Sequence, residues 1–215
     1  MKIFGLLLLL SISFFGFSQD SFDFSTALPV GEKAVQAVEK NYYGSYAADN
    51  NETFYEFDAQ GVWITSTIYS SISRETIRES SKYIVRNGYI FGIALHDSLP
   101  CELEGELYHF GLRNKEQIIG PHSENVLKKI NASSYLICFY ENGGYTPSHF
   151  TFSGKKLDVK HFDYEIGTAI FSNIERKTSK TVNGMNYITL SPTIDECKEI
   201  FSETIFGPIF SYSKE

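Results

Sequence analysis

The side chains best placed for chemistry lie around one turn. Arg86-Asn87-Gly88-Tyr89 contains an Asn-Gly dipeptide, which accepts positive φ at both central positions of a type I′ turn. Pairing outward from it sets Val85 opposite Ile90, Tyr83 opposite Gly92, Ser81 opposite Ala94 and Glu79 opposite His96. Glu79, Ser81, Tyr83 and His96 then share a face with two small residues, Gly92 and Ala94. That leaves room for a polar ligand held between a carboxylate and an imidazole. Alternatively, Glu79 and His96 form a solvent-facing cross-strand pair worth roughly 0.2–1 kcal/mol. The opposite face carries Tyr89, Phe91, Ile93 and Leu95, which favours this second reading because that side is the natural core.

Other reactive residue types are present without the spacing that chemistry needs. His96-Asp97-Ser98 has the three residue types of a hydrolase triad, but sequence neighbours cannot point at one another as a triad requires. His161 falls opposite Ser148 with Asp163 nearby, two ligands short of a metal site. Arg74 and Arg78 lie in a run rich in Ser and Glu from Ser70 to Lys82, where mixed charges read as a solvated strand face rather than an anion site. Asp49-x-Asn51-x-Thr53 begins like a calcium loop but lacks the Gly at position six and the Glu at position twelve. No nucleophile elbow, P-loop, dinucleotide fingerprint or zinc-protease motif occurs, so no cofactor and no metal is called for. Cys101, Cys138 and Cys197 cannot all pair within one chain. A Cys101–Cys138 disulfide and three buried thiols are equally compatible with their spacing.

The chain of 215 residues is 42% hydrophobic and 15% aromatic, enough to bury a core. Its net charge of −7, with no basic run, argues against nucleic acid and against docking to anionic lipid headgroups. The first 18 residues have the form of a signal peptide: Lys2, an apolar run from Ile3 to Phe15, then Gly16-Phe17-Ser18 with small residues where a signal peptidase cuts. The expectation is an exported protein, periplasmic or extracellular, with residues 19–215 as a single β-rich domain and no membrane span, since the run is short of ~20 residues.

The elements that would position these side chains are mostly strands. From Val62, alternation puts Val62, Ile64, Ile68 and Ile72 on one face and Trp63, Thr65, Thr67 and Tyr69 on the other. A II′ turn with Gly154 first pairs Phe152 with Leu157 and Phe150 with Val159 on one face, and Thr151 with Asp158 and His149 with Lys160 on the other. Asn114-Lys115 predicts a third hairpin, and Gly143-Gly144 a turn after Tyr135–Tyr140, a strand apolar on both faces. Helices are predicted at Val30–Asn41, at Ser123–Ile130 and at Thr193–Phe206, where Thr193 and Glu196 form a capping box. The fold class is therefore mainly β, an antiparallel hairpin meander closing as a barrel or sandwich, with short N-terminal and C-terminal helices.

Two segments carry a family resemblance. Gly44-Ser45-Tyr46 with Phe54 to Val62, and His149-Phe150-Thr151-Phe152-Ser153-Gly154-Lys155-Lys156-Leu157, resemble the opening strands and a later hairpin of lipocalin-like domains, although Tyr46 stands where Trp is usual. The resemblance implies a small antiparallel barrel with an internal cavity and no particular ligand. The aromatics Tyr42, Tyr43, Tyr46, Phe54, Tyr55 and Phe57 would then either stack on a sugar or apolar ligand or pack the core. Three functions follow: an exported binding or carrier module for a small apolar or amphipathic ligand, a secreted protein–protein interaction or inhibitor module, and a hydrolase using Glu79, His96 or His161.

Overall fold

The computed structural model describes residues 20–49, 52–93, 98–182, 185–202 and 205–215. The expected leader, residues 1–18, lies outside them. The strands are β1 (Asp20–Phe24), β2 (Ala34–Val35), β3 (Gly44–Ala48), β4 (Thr53–Asp58), β5 (Gly61–Ser73), β6 (Ile84–Arg86), β7 (Tyr89–Phe91) and β8 (Leu99–Glu104). They continue with β9 (Leu107–Ile119), β10 (Val126–Lys129), β11 (Ser134–Glu141), β12 (Gly144–Ser153), β13 (Lys156–Phe162), β14 (Lys177–Val182), β15 (Met185–Leu190) and β16 (Phe206–Lys214). Three short α-helices are α1 (Arg74–Glu79), α2 (Tyr164–Ser172) and α3 (Ile194–Ser202). The described residues are mainly β, and the sheet is antiparallel apart from β1 beside β15.

Turn chemistry sets the register. Gly154, at φ +60°, opens the β12–β13 hairpin, and Phe152↔Leu157, Phe150↔Val159 and His149↔Lys160 pair as expected. Asn87 and Gly88, at +52° and +76°, make the I′ turn of β6–β7, with Val85 opposite Ile90. The turn after β11 is also an Asn-Gly I′ turn, at Asn142 (+53°) and Gly143 (+93°), one residue earlier than expected.

The order β14-β15-β1-β12-β13-β16-β3-β4-β5-β9-β8-β7-β6, with β11, β10 and β2 extending from β12, gives a sheet that curls without closing as a barrel. Its concave side holds one core: Tyr46, Tyr55, Phe57, Tyr135, Phe150, Phe152 and Tyr212 with Val62, Ile137, Leu157 and Val159. Most of the rings fill this space edge to face, while Tyr42 stacks on Phe152. Phe152 lies 4.4 Å from Tyr42, 5.1 Å from Phe57, 5.6 Å from Tyr46 and 5.9 Å from Tyr135, between centroids. The internal cavity that the resemblance implies is thus occupied by side chains. A second core on the convex side joins Leu136 and Cys138 to Phe24, Phe171, Leu190, Cys197 and Ile200, under α2 and α3. Tyr135 and Ile137 serve the first core and Leu136 and Cys138 the second, which is why β11 reads as apolar on both faces.

Four local expectations are corrected. Val30–Asn41 is not an α-helix: Gly31 has φ +89°, Ala34 and Val35 pair with Lys128 and Leu127, and a 3₁₀ turn follows at Lys40–Tyr42. The apolar spacing there reflects an extended chain laying Val35 and Val38 onto the concave core. Ser123–Ile130 contains β10 instead of a helix, because Val126 and Leu127 gain ladder partners in Cys138 and Ile137. Asn114 and Lys115 do not turn: they pair with Ser66 and Thr65 inside a continuous β9, and the turn is at Gly105, φ +58°. The run from Ser70 to Lys82 leaves the sheet at Ser73, whose Oγ accepts the Thr76 N–H at 3.0 Å and starts α1.

Phe152 packs against Tyr42, Tyr46, Phe57 and Tyr135 within the concave core. Phe152→Ala is expected to cost about 3–5 kcal/mol of unfolding free energy in urea titration; a loss under 1 kcal/mol would contradict a filled interior.

Candidate functional site

Of the residues grouped by the Asn-Gly register, the structure describes Glu79, Ser81, Tyr83 and Gly92. The β6–β7 ladder ends at Ile84↔Phe91. Beyond it, Gly92 still lies against Lys82 and Tyr83: at φ +88°, a Cβ there would fall 2.1 Å from the Lys82 carbonyl oxygen. Glu79, however, ends α1 and so does not continue the strand. Ser81 is exposed in the short connection, where the Ser80 hydroxyl accepts the Lys82 and Tyr83 N–H groups at 3.0 and 3.3 Å. His96 and Asp97 lie outside the described residues. Arg74 pairs with Glu106 and Arg78 with Glu75 as exposed ion pairs.

All three cysteines are free thiols, so the Cys101–Cys138 pairing is not formed. Cys101 is on β8, while Cys138 lies buried on β11 and donates to the Leu28 carbonyl at 3.4 Å. Burial pushes the Cys138 thiol up to about 11, which suppresses its thiolate.

Two Ser–His contacts exist. Ser148 Oγ lies 3.0 Å from His161 Nδ1, and Ser134 Oγ lies 3.1 Å from His149 Nε2. Neither has the arrangement of a hydrolase triad. Ser148 is buried, and Asp163 spends its Oδ1 on the N–H groups of Glu165 and Ile166 at the start of α2. His149 faces Lys160 across the hairpin, a charge that lowers its pKa where a triad carboxylate would raise it.

His149 instead belongs to a cleft of about 710 Å³ on the convex side, between α3, the chain at residues 29–32 and the sheet. The capping box forms as expected: Glu196 N–H donates to Thr193 Oγ1 at 3.2 Å and Thr193 N–H to Glu196 Oε2 at 2.6 Å. Those bonds, with one from Glu175 N–H, hold the Glu196 carboxyl below its usual range. The helix so fixed buries Cys197 and Ile200 and leaves Phe201 along the cleft. The opposite wall depends on Lys128. This side chain is only 7% exposed, and its Nζ donates to the carbonyls of Ala27 and Pro29 at 2.7 Å each, tying that chain to β10. Burial lowers its pKa.

Leu136, Phe201 and Phe206 give the cleft an apolar floor. Lys129, Lys160 and Lys198 stand around it, with Glu32 the one acidic side chain of the lining. Lys129 is engaged by Glu39 and Lys198 by Asp195. Among the described residues Lys160 has no ion-pair partner, although it is half-buried. His149 packs on Phe206 at 5.5 Å between ring centroids, and burial and then Lys160 push its pKa down. At neutral pH it is therefore an uncharged polar group beside an ammonium.

Comparison with known protein families, characterised proteins and solved structures finds no match to this chain. Its chemistry is read from the cleft alone. Sequence reasoning placed His149 and Lys160 together on the polar face of their hairpin, and it found the apolar stripe of α3. The signal it missed was that one covers the other.

His149 and His161 both have lowered pKa values, by burial in each case and for His149 also by Lys160. Their stabilising effect is complete above the unfolded imidazole value of about 6.5 and is lost as pH falls toward the folded values. Stability measured by denaturation should therefore decline below that pH, and His149→Gln should reduce the decline. An unchanged slope in the variant would show that His149 is not buried as described.

Proposed function

We propose that this chain is an exported binding module for an amphipathic anion, a ligand with an apolar body and a carboxylate or similar head. It is a carrier in the sense the lipocalin-like resemblance implies, but the binding surface is outside the curled sheet. The observation that carries the reading is Lys160: a half-buried ammonium with no ion-pair partner among the described residues, at the edge of an apolar floor in a protein of net charge −7. An ammonium held there gains from an anionic head, while Leu136, Phe201 and Phe206 accept a hydrocarbon chain. His149 adds a neutral hydrogen-bonding group beside the head.

The test is displacement of a dansylated fatty acid by dodecanoate and by dodecanol. Dodecanoate should bind more tightly than the alcohol, Lys160→Glu should cost about tenfold in dodecanoate affinity and abolish the preference, and Lys160→Arg should keep it. Equal affinity for acid and alcohol, or an unchanged Lys160→Glu variant, would overturn the proposal.

A second reading, a protein-interaction module, is favoured by the arm formed where β5 and β9 run past β4. Ile68 is 53% exposed there and Tyr69 67%, with Ile84, Tyr89 and Phe91 also exposed. Ile68→Asp with Tyr69→Asp separates the two readings: it leaves dodecanoate affinity intact and removes any association that depends on the arm.

A further inference from the structure

A second cleft, of about 620 Å³, lies where the curled sheet fails to close, between β2 and β10 on one side and the ends of β5 and β9 on the other. Its lining contains no Lys, Arg, Asp or Glu, although such residues make up 21% of the chain. It presents Trp63, the glutamines Gln36, Gln60 and Gln117, and an apolar back of Ile119 and Leu127.

The indole and one amide are fixed in place. Glu56, Trp63 and Gln117 form a row across β4, β5 and β9. Lys115, held by Glu56, sits 5.2 Å from the Trp63 ring centroid. The Gln117 amide lies over Gly120, where an added Cβ would fall 2.4 Å from the Gln117 Cδ and push the amide aside. Gln117 Nε2 donates to the Gln60 carbonyl at 3.0 Å, and among the described residues its Oε1 takes no hydrogen bond.

From this geometry we infer that the seam is a binding site for a neutral saccharide. The lining has no Lys, Arg, Asp or Glu and the Lys115 ammonium beside Trp63 is already paired with Glu56, which disfavours an ionic ligand because a buried ion without a partner is costly. A pyranose offers an aliphatic C–H face for an indole and a ring of hydroxyls for amides. Trp63 takes that face, Gln117 Oε1 accepts a hydroxyl hydrogen, and the Gln36 and Gln60 amides reach further hydroxyls. The site does not depend on the convex cleft and shares no lining residue with it.

Trp63 is the only tryptophan in the chain, so fluorescence excited at wavelengths that tyrosine does not absorb reports on this seam. The purified protein is titrated separately with maltohexaose, cellohexaose and chitohexaose while emission at 340 nm or so is followed. At least one glycan should shift and saturate the emission. Gln117→Ala should weaken that response about tenfold while keeping the wild-type melting temperature, and Lys160→Glu should leave it unchanged. If Gln117→Ala fails to fold, Gln36→Ala, at an exposed position, serves in its place with a smaller loss. No saturable response to any of the three, or a response unaltered in both glutamine variants, would overturn the inference.

Discussion

A strand that feeds two cores cannot slip. On β11, Tyr135 and Ile137 enter the concave core while Leu136 and Cys138 enter the convex one. Moving the strand by one residue would exchange these sets, turning Tyr135 and Ile137 toward the convex core and Leu136 and Cys138 toward the concave one. Its neighbours inherit the same lock. Lys128 on β10 is opposite Leu136 and so faces the convex side, while Leu127 faces the concave one. On β12, Phe150 points inward and His149 outward. The convex face thus carries polar groups of fixed position among apolar ones, and α3 covers only part of it. The cleft is what that incomplete cover leaves.

Lys128 shows how a cation is accommodated inside such a face. Two carbonyls at 2.7 Å replace water around its ammonium, and no carboxylate among the described residues pairs with it. Burial accordingly lowers its pKa, yet breaking the contact would leave two carbonyls without their donor as well as a lysine without acceptors. Lys160, on the same face, has no comparable carbonyl partners among the described residues. The contrast distinguishes a lysine used to build the wall from one left to face a ligand.

The sequence revealed the parts of the fold governed by local chemistry. Gly154 and Asn87-Gly88 set hairpin registers because their turns need positive φ, and Thr193 with Glu196 set a helix start because the capping box is complete within four residues. Where pairing across the sheet decided, local pattern misled. Val126, Leu127 and Ile130 have helical spacing, but the ladder with β11 outweighs it. Asn114-Lys115 resembles a turn only until its partners on β5 are known. The reading of Glu79 as a strand residue extended a correct register back into the helix that Ser73 begins; a Ser followed by Arg-Glu-Thr was the available warning. The convex cleft was not legible because it requires knowing that α3, near the C-terminus, lies on the outer face of a hairpin some forty residues earlier.

The unclosed seam has its own physical reason. A sheet edge with unsatisfied backbone groups invites pairing with another chain. At the end of β9 the Ile118 carbonyl is met instead by side chains: Ser123 Oγ donates at 2.7 Å and Asn125 Nδ2 at 2.9 Å. Asn125 Oδ1 in turn accepts the Tyr140 N–H at 2.8 Å, which links this loop to β11. Two hydroxyl and amide side chains therefore do there what a further strand would do in a closed barrel. Because they satisfy the backbone without filling the space between strands, the gap persists as a cleft, and its polar surface is made of amides and the His122 imidazole. An open seam of this kind is stable only while its edge is capped, so the loop at residues 120–125 belongs to the fold as much as any strand does.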